Sequence, residues 1–140
     1  MKMKFGLMVM LGALGTLTAQ EATKGAPATF ALACAGGDCP LLKGVPQTSG
    51  MRGGSVKLKP GESVGWHSTG DNEEALVILR GSGAANIEGR EDMPLKENIL
   101  AYIPRGTRHN VTNTGTEVLE YVWVVAPIRT LSDPRAEHPH

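Results

Sequence analysis

No net charge and no basic block mark this chain: its 140 residues carry 14 Lys and Arg against 14 Asp and Glu. Binding to nucleic acid therefore has no electrostatic footprint here. The chain also lacks an apolar run of the ~20 residues that a membrane-crossing helix requires. The run from Phe5 to Leu17 falls short of that length. No amphipathic helical pattern interrupts the central region, so an attached helical module for reading DNA is excluded as well. Cysteine is scarce, with only Cys34 and Cys39 present, which leaves room for a single pairing within the chain.

The N-terminal run has its own reading. Lys2 and Lys4 precede it, and small residues at Thr18 and Ala19 follow it, which is the pattern of a secretory signal peptide. Residues 1–20 are expected to be removed by cleavage near Ala19 or Gln20, giving a secreted or periplasmic protein. No Cys follows closely enough to carry a lipid, so no membrane anchor is expected. Without Lys2 and Lys4 the basic count falls from 14 to 12 against 14 acids, close to neutral. Export also decides how the segment CAGGDC is read. In an oxidising compartment, Cys34 and Cys39 form a disulfide more often than a metal site. Two reduced thiols are the alternative, and a soft-metal site would need more ligands than the segment offers.

Turn residues are abundant: 18 Gly and 9 Pro accompany 41% hydrophobic residues, a composition that fits one compact domain. Short alternating runs bounded by Gly, Pro and Asn place strands at 55–59, 63–67, 74–80, 84–88, 98–103, 108–113 and 117–125. That pattern indicates an all-β sandwich or barrel. The segment 21–53 alternates apolar runs with breakers, as in AGGDCP and QTSGMRGG. It is expected to wrap the barrel of residues 54–127 or cap its mouth. The polar tail, 128–140, has no partner pattern and reads as disordered.

Two clusters carry the chemistry. The first, PGESVGWHSTGDNEEALVILRG, holds Gly61, His67, Glu74 and Gly81; the second, NILAYIPRGTRHNVTN, holds Pro104, Gly106, His109 and Asn113. Imidazole and carboxylate are the ligands expected for Fe, Mn, Ni, Cu or Zn. Together the clusters resemble the two motifs of the cupin family. In the first, Thr69 stands where the family's second His belongs; in the second, Asn98 replaces the leading glycine. The resemblance implies a double-stranded β-helix, or jelly-roll barrel, with a central pocket. It also implies a metal site built from His67, Glu74 and His109, a two-His, one-carboxylate set holding a divalent transition metal, iron first. The spacing to Gly81 selects Glu74 over Glu73. A barrel with a metal-free pocket is the alternative.

Strand alternation refines this picture. Glu74, Leu76 and Ile78 share one face of their strand, and Ala75, Val77 and Leu79 the other, so the strand is expected to lie centrally and be covered twice. Arg80 falls on the Glu74 face near the strand's end, as a solvated rim residue or, less favoured, a contact for an anionic substrate. Arg108 and Trp66 point away from the pocket. The last strand is apolar on both faces, with Leu119, Tyr121, Trp123 and Val125 on one side and Val118, Val122 and Val124 largely on the other. This suggests a homodimer contact.

Three function classes follow. One is a small-molecule dioxygenase, in which His67, Glu74 and His109 are ligands; an isomerase or lyase would need a general base nearby. Another is a module that captures a sugar or phenolic ligand without turnover. The third is a structural barrel.

Overall fold

The computed structural model describes residues 25–128; the expected signal peptide and all but the first residue of the polar tail lie outside them. Among the described residues there is no helix. Nine strands run in order: β1 (Gly37–Lys43), β2 (Arg52–Leu58), β3 (His67–Ser68), β4 (Asn72–Arg80), β5 (Ser82–Ile87), β6 (Met93–Lys96), β7 (Leu100–Ile103), β8 (Arg108–Thr112) and β9 (Leu119–Pro127). They form a five-stranded sheet ordered β1-β2-β9-β4-β7 and a four-stranded sheet ordered β3-β8-β5-β6. All of the strand pairs are antiparallel. This is the expected all-β double-stranded β-helix.

Alternation along the strands builds the core between the sheets. Leu76 and Ile78 of β4, Val56 and Leu58 of β2, and Leu119 and Tyr121 of β9 are buried from one side; Ala85, Leu95 and Val111 meet them from the other. Each such large apolar side chain contributes about 1.5–3 kcal/mol when fully buried. The outer face of β4 differs from expectation. The strand lies inside its sheet, between β9 and the edge strand β7, yet Val77 and Leu79 stay 39% and 38% exposed, flanked by the exposed Leu100 and Tyr102 of β7. Their apolar character has no cover within the described residues.

Four strands depart from the sequence reading. The run 63–67 forms only a bridge from Ser63 to Thr112 and the two-residue β3. Gly65 breaks it, with a φ of 91° and its N–H donated to Asn110 Oδ1 at 2.9 Å. Strands β1 and β6 had no sequence signal. Both lie at sheet edges and both contain proline, which an edge tolerates because its outward N–H groups need no ladder partner. Strand β2 starts at Arg52, earlier than its apolar residues suggest.

Candidate metal site

His67 on β3 and His109 on β8 are direct partners in the antiparallel ladder. Their rings share a face, with centroids 4.2 Å apart and planes tilted by 60°. Glu74 arrives from the opposite sheet, on the inward face of β4. One ligand atom from each of the three lies within 4.8 Å of the others, so this group could hold a metal ion. A cation about 2.1 Å from every ligand needs them within about 4.2 Å of one another. His67, the exposed member, can supply any small closing movement. Glu73 points the other way, its carboxylate accepting the Tyr102 hydroxyl at 2.7 Å on the outer face.

The hydrogen bonds around the imidazoles fix which nitrogen is free. His67 Nδ1 lies 2.9 Å from the Gly65 carbonyl, and His109 Nδ1 lies 3.2 Å from the Thr107 carbonyl. A carbonyl oxygen can only accept, so each Nδ1 carries the proton and each Nε2 keeps its lone pair. This is the outer support that metal-bound histidines usually have. His109 Nε2 is buried without a hydrogen-bond partner. Glu74 Oε2 is only 3.2 Å away, one acceptor facing another. A cation between the two would satisfy both, so the residues present fit a metal. Burial pulls the pKa of His109 down most strongly, but the Glu74 carboxylate and the Thr107 carbonyl together outweigh it and leave the pKa raised.

Thr69 does not act as a spare ligand. Its hydroxyl donates to the Pro104 carbonyl at 2.9 Å and accepts the Thr107 N–H at 3.1 Å. It therefore clasps the loop that leads into His109. The other motif positions are structural too. Asn98 takes the left-handed φ of 65° that its place in the motif requires, a conformation asparagine tolerates better than most residues. At Gly81, φ is 79° and a Cβ would run into the Val118 carbonyl. Asn113 is buried, donating to the carbonyls of Leu58 and Glu117 at 2.8 Å and accepting the Gly115 N–H at 2.9 Å.

A cavity of about 310 Å³ opens beside this group. His67 and Glu74 line one end, with apolar walls from Val56, Val64 and Val111. The five-stranded sheet adds Asp38 of β1, Arg52 of β2, and Tyr121 and Trp123 of β9 to the lining. Burial holds the Tyr121 phenol far above its usual range, with the charges of Glu74 and Asp38 adding to the effect. It stays neutral and can donate. Asp38 lies within the loop closed by the bonded Cys34 and Cys39, whose Cα atoms are 5.7 Å apart. Neither Asp38 nor Arg52 was marked by the sequence reading. No signal announces Asp38, because β1 itself has none, and Gly53 and Gly54 interrupt the alternation that would lead back to Arg52. Arg80 lies outside the cavity lining, 3.6 Å from Glu117. Arg108, paired with Glu88 and lying over Trp66, is outside it too.

Comparison with known proteins is consistent with this arrangement. Residues 54–125 match the family described as Cupin domain. The chain is 36% identical over 70 residues to the oxalate-binding protein of Thermotoga maritima, covering 50% of this chain and 57% of that one. It is 31% identical over 96 residues to the tetracenomycin polyketide synthase protein TcmJ of Streptomyces glaucescens, covering 69% and 60%. The chain thus spans less than two thirds of the length of these relatives. Among solved structures, BH2720 of Bacillus halodurans superposes with a TM-score of 0.62 at 21% identity, over 84% of this chain and 89% of that one. A double-stranded β-helix protein of Klebsiella pneumoniae gives 0.59 at 20% identity, over 73% and 91%. The fold, the paired motifs and the matched residues agree: this chain belongs to the cupin family.

Proposed function

We propose that the protein is an exported, metal-dependent cupin that acts on a small molecule, with dioxygenase-type chemistry. The observation that carries this reading is the hydrogen bonding of His67 and His109: both rings give Nδ1–H to a backbone carbonyl, which leaves two Nε2 lone pairs beside the Glu74 carboxylate. A bound divalent transition metal, iron first among Fe, Mn, Ni, Cu and Zn, would supply redox or Lewis-acid chemistry with positions left for substrate. The chain's own residues do the rest. Val56, Val64 and Val111 give the cavity apolar walls, neutral Tyr121 offers a hydrogen-bond donor, and Asp38 offers an acceptor.

A second reading is capture without turnover. It is supported by the name of the Thermotoga maritima relative, an oxalate-binding protein. In either reading the protein is a homodimer joined through the exposed apolar patch of Val77, Leu79, Leu100 and Tyr102, which sedimentation velocity would test.

The deciding experiment is elemental analysis of protein from residue 21 onward after anaerobic Fe(II) loading, followed by oxygen uptake across a panel of small phenols and carboxylic acids. One metal per chain with substrate-dependent uptake supports the enzyme. One metal with ligand binding but no uptake supports capture, and no metal in the wild type ends the metal reading.

A further inference from the structure

The row of the five-stranded sheet that carries Glu74 also carries a cation. Arg52 on β2 is the direct partner of Val125 on β9, and Val125 is the direct partner of Glu74 on β4. Residues directly opposite in a ladder project to the same face. Arg52, Val125 and Glu74 therefore stand in line across the inner face. Two strand spacings, about 10 Å, separate the outer two backbones. Arg52 lines the same cavity as Glu74 and is in no ion pair among the described residues. Its stem is seated in the β1–β2 connection, where a Cβ on Gly44 would stand 3.3 Å from Arg52 Cγ.

The next residue along this row is Lys43, the direct partner of Arg52 on β1. Like charges directly opposite one another destabilise a ladder. Lys43 has no ion-pair partner among the described residues either. An anion seated against the pair would turn this repulsion into attraction.

We propose that Arg52, backed by Lys43, anchors one carboxylate of a small dicarboxylate whose other end lies at His67, Glu74 and His109. The inference rests on the reading of that group as a metal site. A divalent cation held by a single carboxylate keeps net positive charge, so both ends of the cavity favour an anion. The guanidinium fork matches a carboxylate through two parallel N–H donors. Between them Val125 offers only apolar surface, which suits the short hydrocarbon middle of such a ligand. The carboxylate of Asp38 forms no ion pair with Arg52: it accepts the Trp123 indole N–H at 2.8 Å, and its residue lies opposite Val56, four residues along β2 from Arg52.

The test uses Zn(II)-loaded protein, which is redox-inert, with metal content measured by elemental analysis. Oxalate, malonate and succinate are titrated by calorimetry, with malonamide as the neutral comparison, into wild type, R52Q, R52K and K43Q. The expected result is one zinc per chain in all four and binding of at least one dicarboxylate but not malonamide. That binding should weaken at least about 10-fold in R52Q, the scale on which truncating a charged hydrogen bond acts. R52K should recover part of it, and K43Q should lose less than R52Q. If zinc binds but no dicarboxylate does, or if R52Q binds as tightly as wild type, the assignment to Arg52 is overturned while the metal reading stands. If wild type holds no zinc, the metal reading fails and the inference goes with it.

Discussion

The Trp123 indole N–H reaches Asp38 Oδ1 at 2.8 Å, although 85 residues separate the two along the chain. The contact spans three strands. Trp123 on β9 is the direct partner of Gly54 on β2, which in turn faces Pro40 on β1. Only a residue with no side chain at position 54 lets the indole cross the middle strand.

Gly54→Ala tests that geometry. Its Cβ would stand 2.6 Å from the Cys39 carbonyl oxygen and 2.9 Å from Trp123 Nε1. Overpacking of this kind costs about 1–3 kcal/mol. Urea denaturation should show the loss, and the emission of Trp123, recorded in a Trp66→Phe background, should shift as the indole leaves Asp38. An unchanged midpoint and spectrum would refute the crossing.

Metal affinity should fall steeply when any one of His67, Glu74 or His109 is replaced by alanine. Even an outer partner of a metal ligand is worth 10–100-fold in affinity, so loss of a ligand should cost more than about 100-fold. Competition against a chromophoric chelator measures this directly. Glu73→Ala is the internal control, because Glu73 faces Tyr102 on the other side of the sheet. Equal losses at Glu73 and Glu74 would contradict the assignment.

Thr69→His should not tighten metal binding, even though it restores the histidine that the family pattern has at this position. The substitution removes the hydroxyl that serves Pro104 and Thr107. Thr69→Val removes the same two bonds with little change of shape, and should cost about 1–3 kcal/mol by leaving those backbone groups unpaired. Urea denaturation and zinc titration of both variants separate the outcomes. A Thr69→His variant that binds zinc more tightly than wild type would show the position to be a dormant ligand.

The short loop closed by Cys34 and Cys39 should matter modestly to stability. Chain-entropy reasoning gives about 2 kcal/mol for so small a ring, to be read from denaturation of the Cys34→Ala, Cys39→Ala double variant. Thiol alkylation followed by intact mass should find no free thiol in exported protein before reduction and two after it. Two free thiols from the start would rule the bridge out.

Much of the site was legible because its spacing is dictated by backbone geometry. Gly81 and Asn98 hold positive-φ positions at which few side chains are tolerated, and His67, Glu74 and His109 sit at set distances from such turns. The strand carrying Glu74 alternates clearly, since one face of it meets the core. The cavity's mouth was not legible, for an equally physical reason. Asp38 sits on an edge strand containing Pro40, and Arg52 opens a strand whose next two residues are Gly53 and Gly54, so neither stretch shows the apolar alternation from which strands are read. The role of Thr69 was hidden for a different reason. Both partners of its hydroxyl are backbone groups more than thirty residues away, and no side-chain pattern encodes them.

Glu74 belongs to the five-stranded sheet, while His67 and His109 belong to the four-stranded one. A cation shared by the three would act as a rivet through both layers of the barrel, bound only while the layers are in register. Folding and metal uptake are then one linked equilibrium: free metal at 100 times its dissociation constant would add about 2.7 kcal/mol to the stability of the fold. The linkage also runs backwards. A cavity cut into the core at Leu95 or Leu119, on strands that carry no ligand of the ion, would loosen the layers and so lower the affinity for metal.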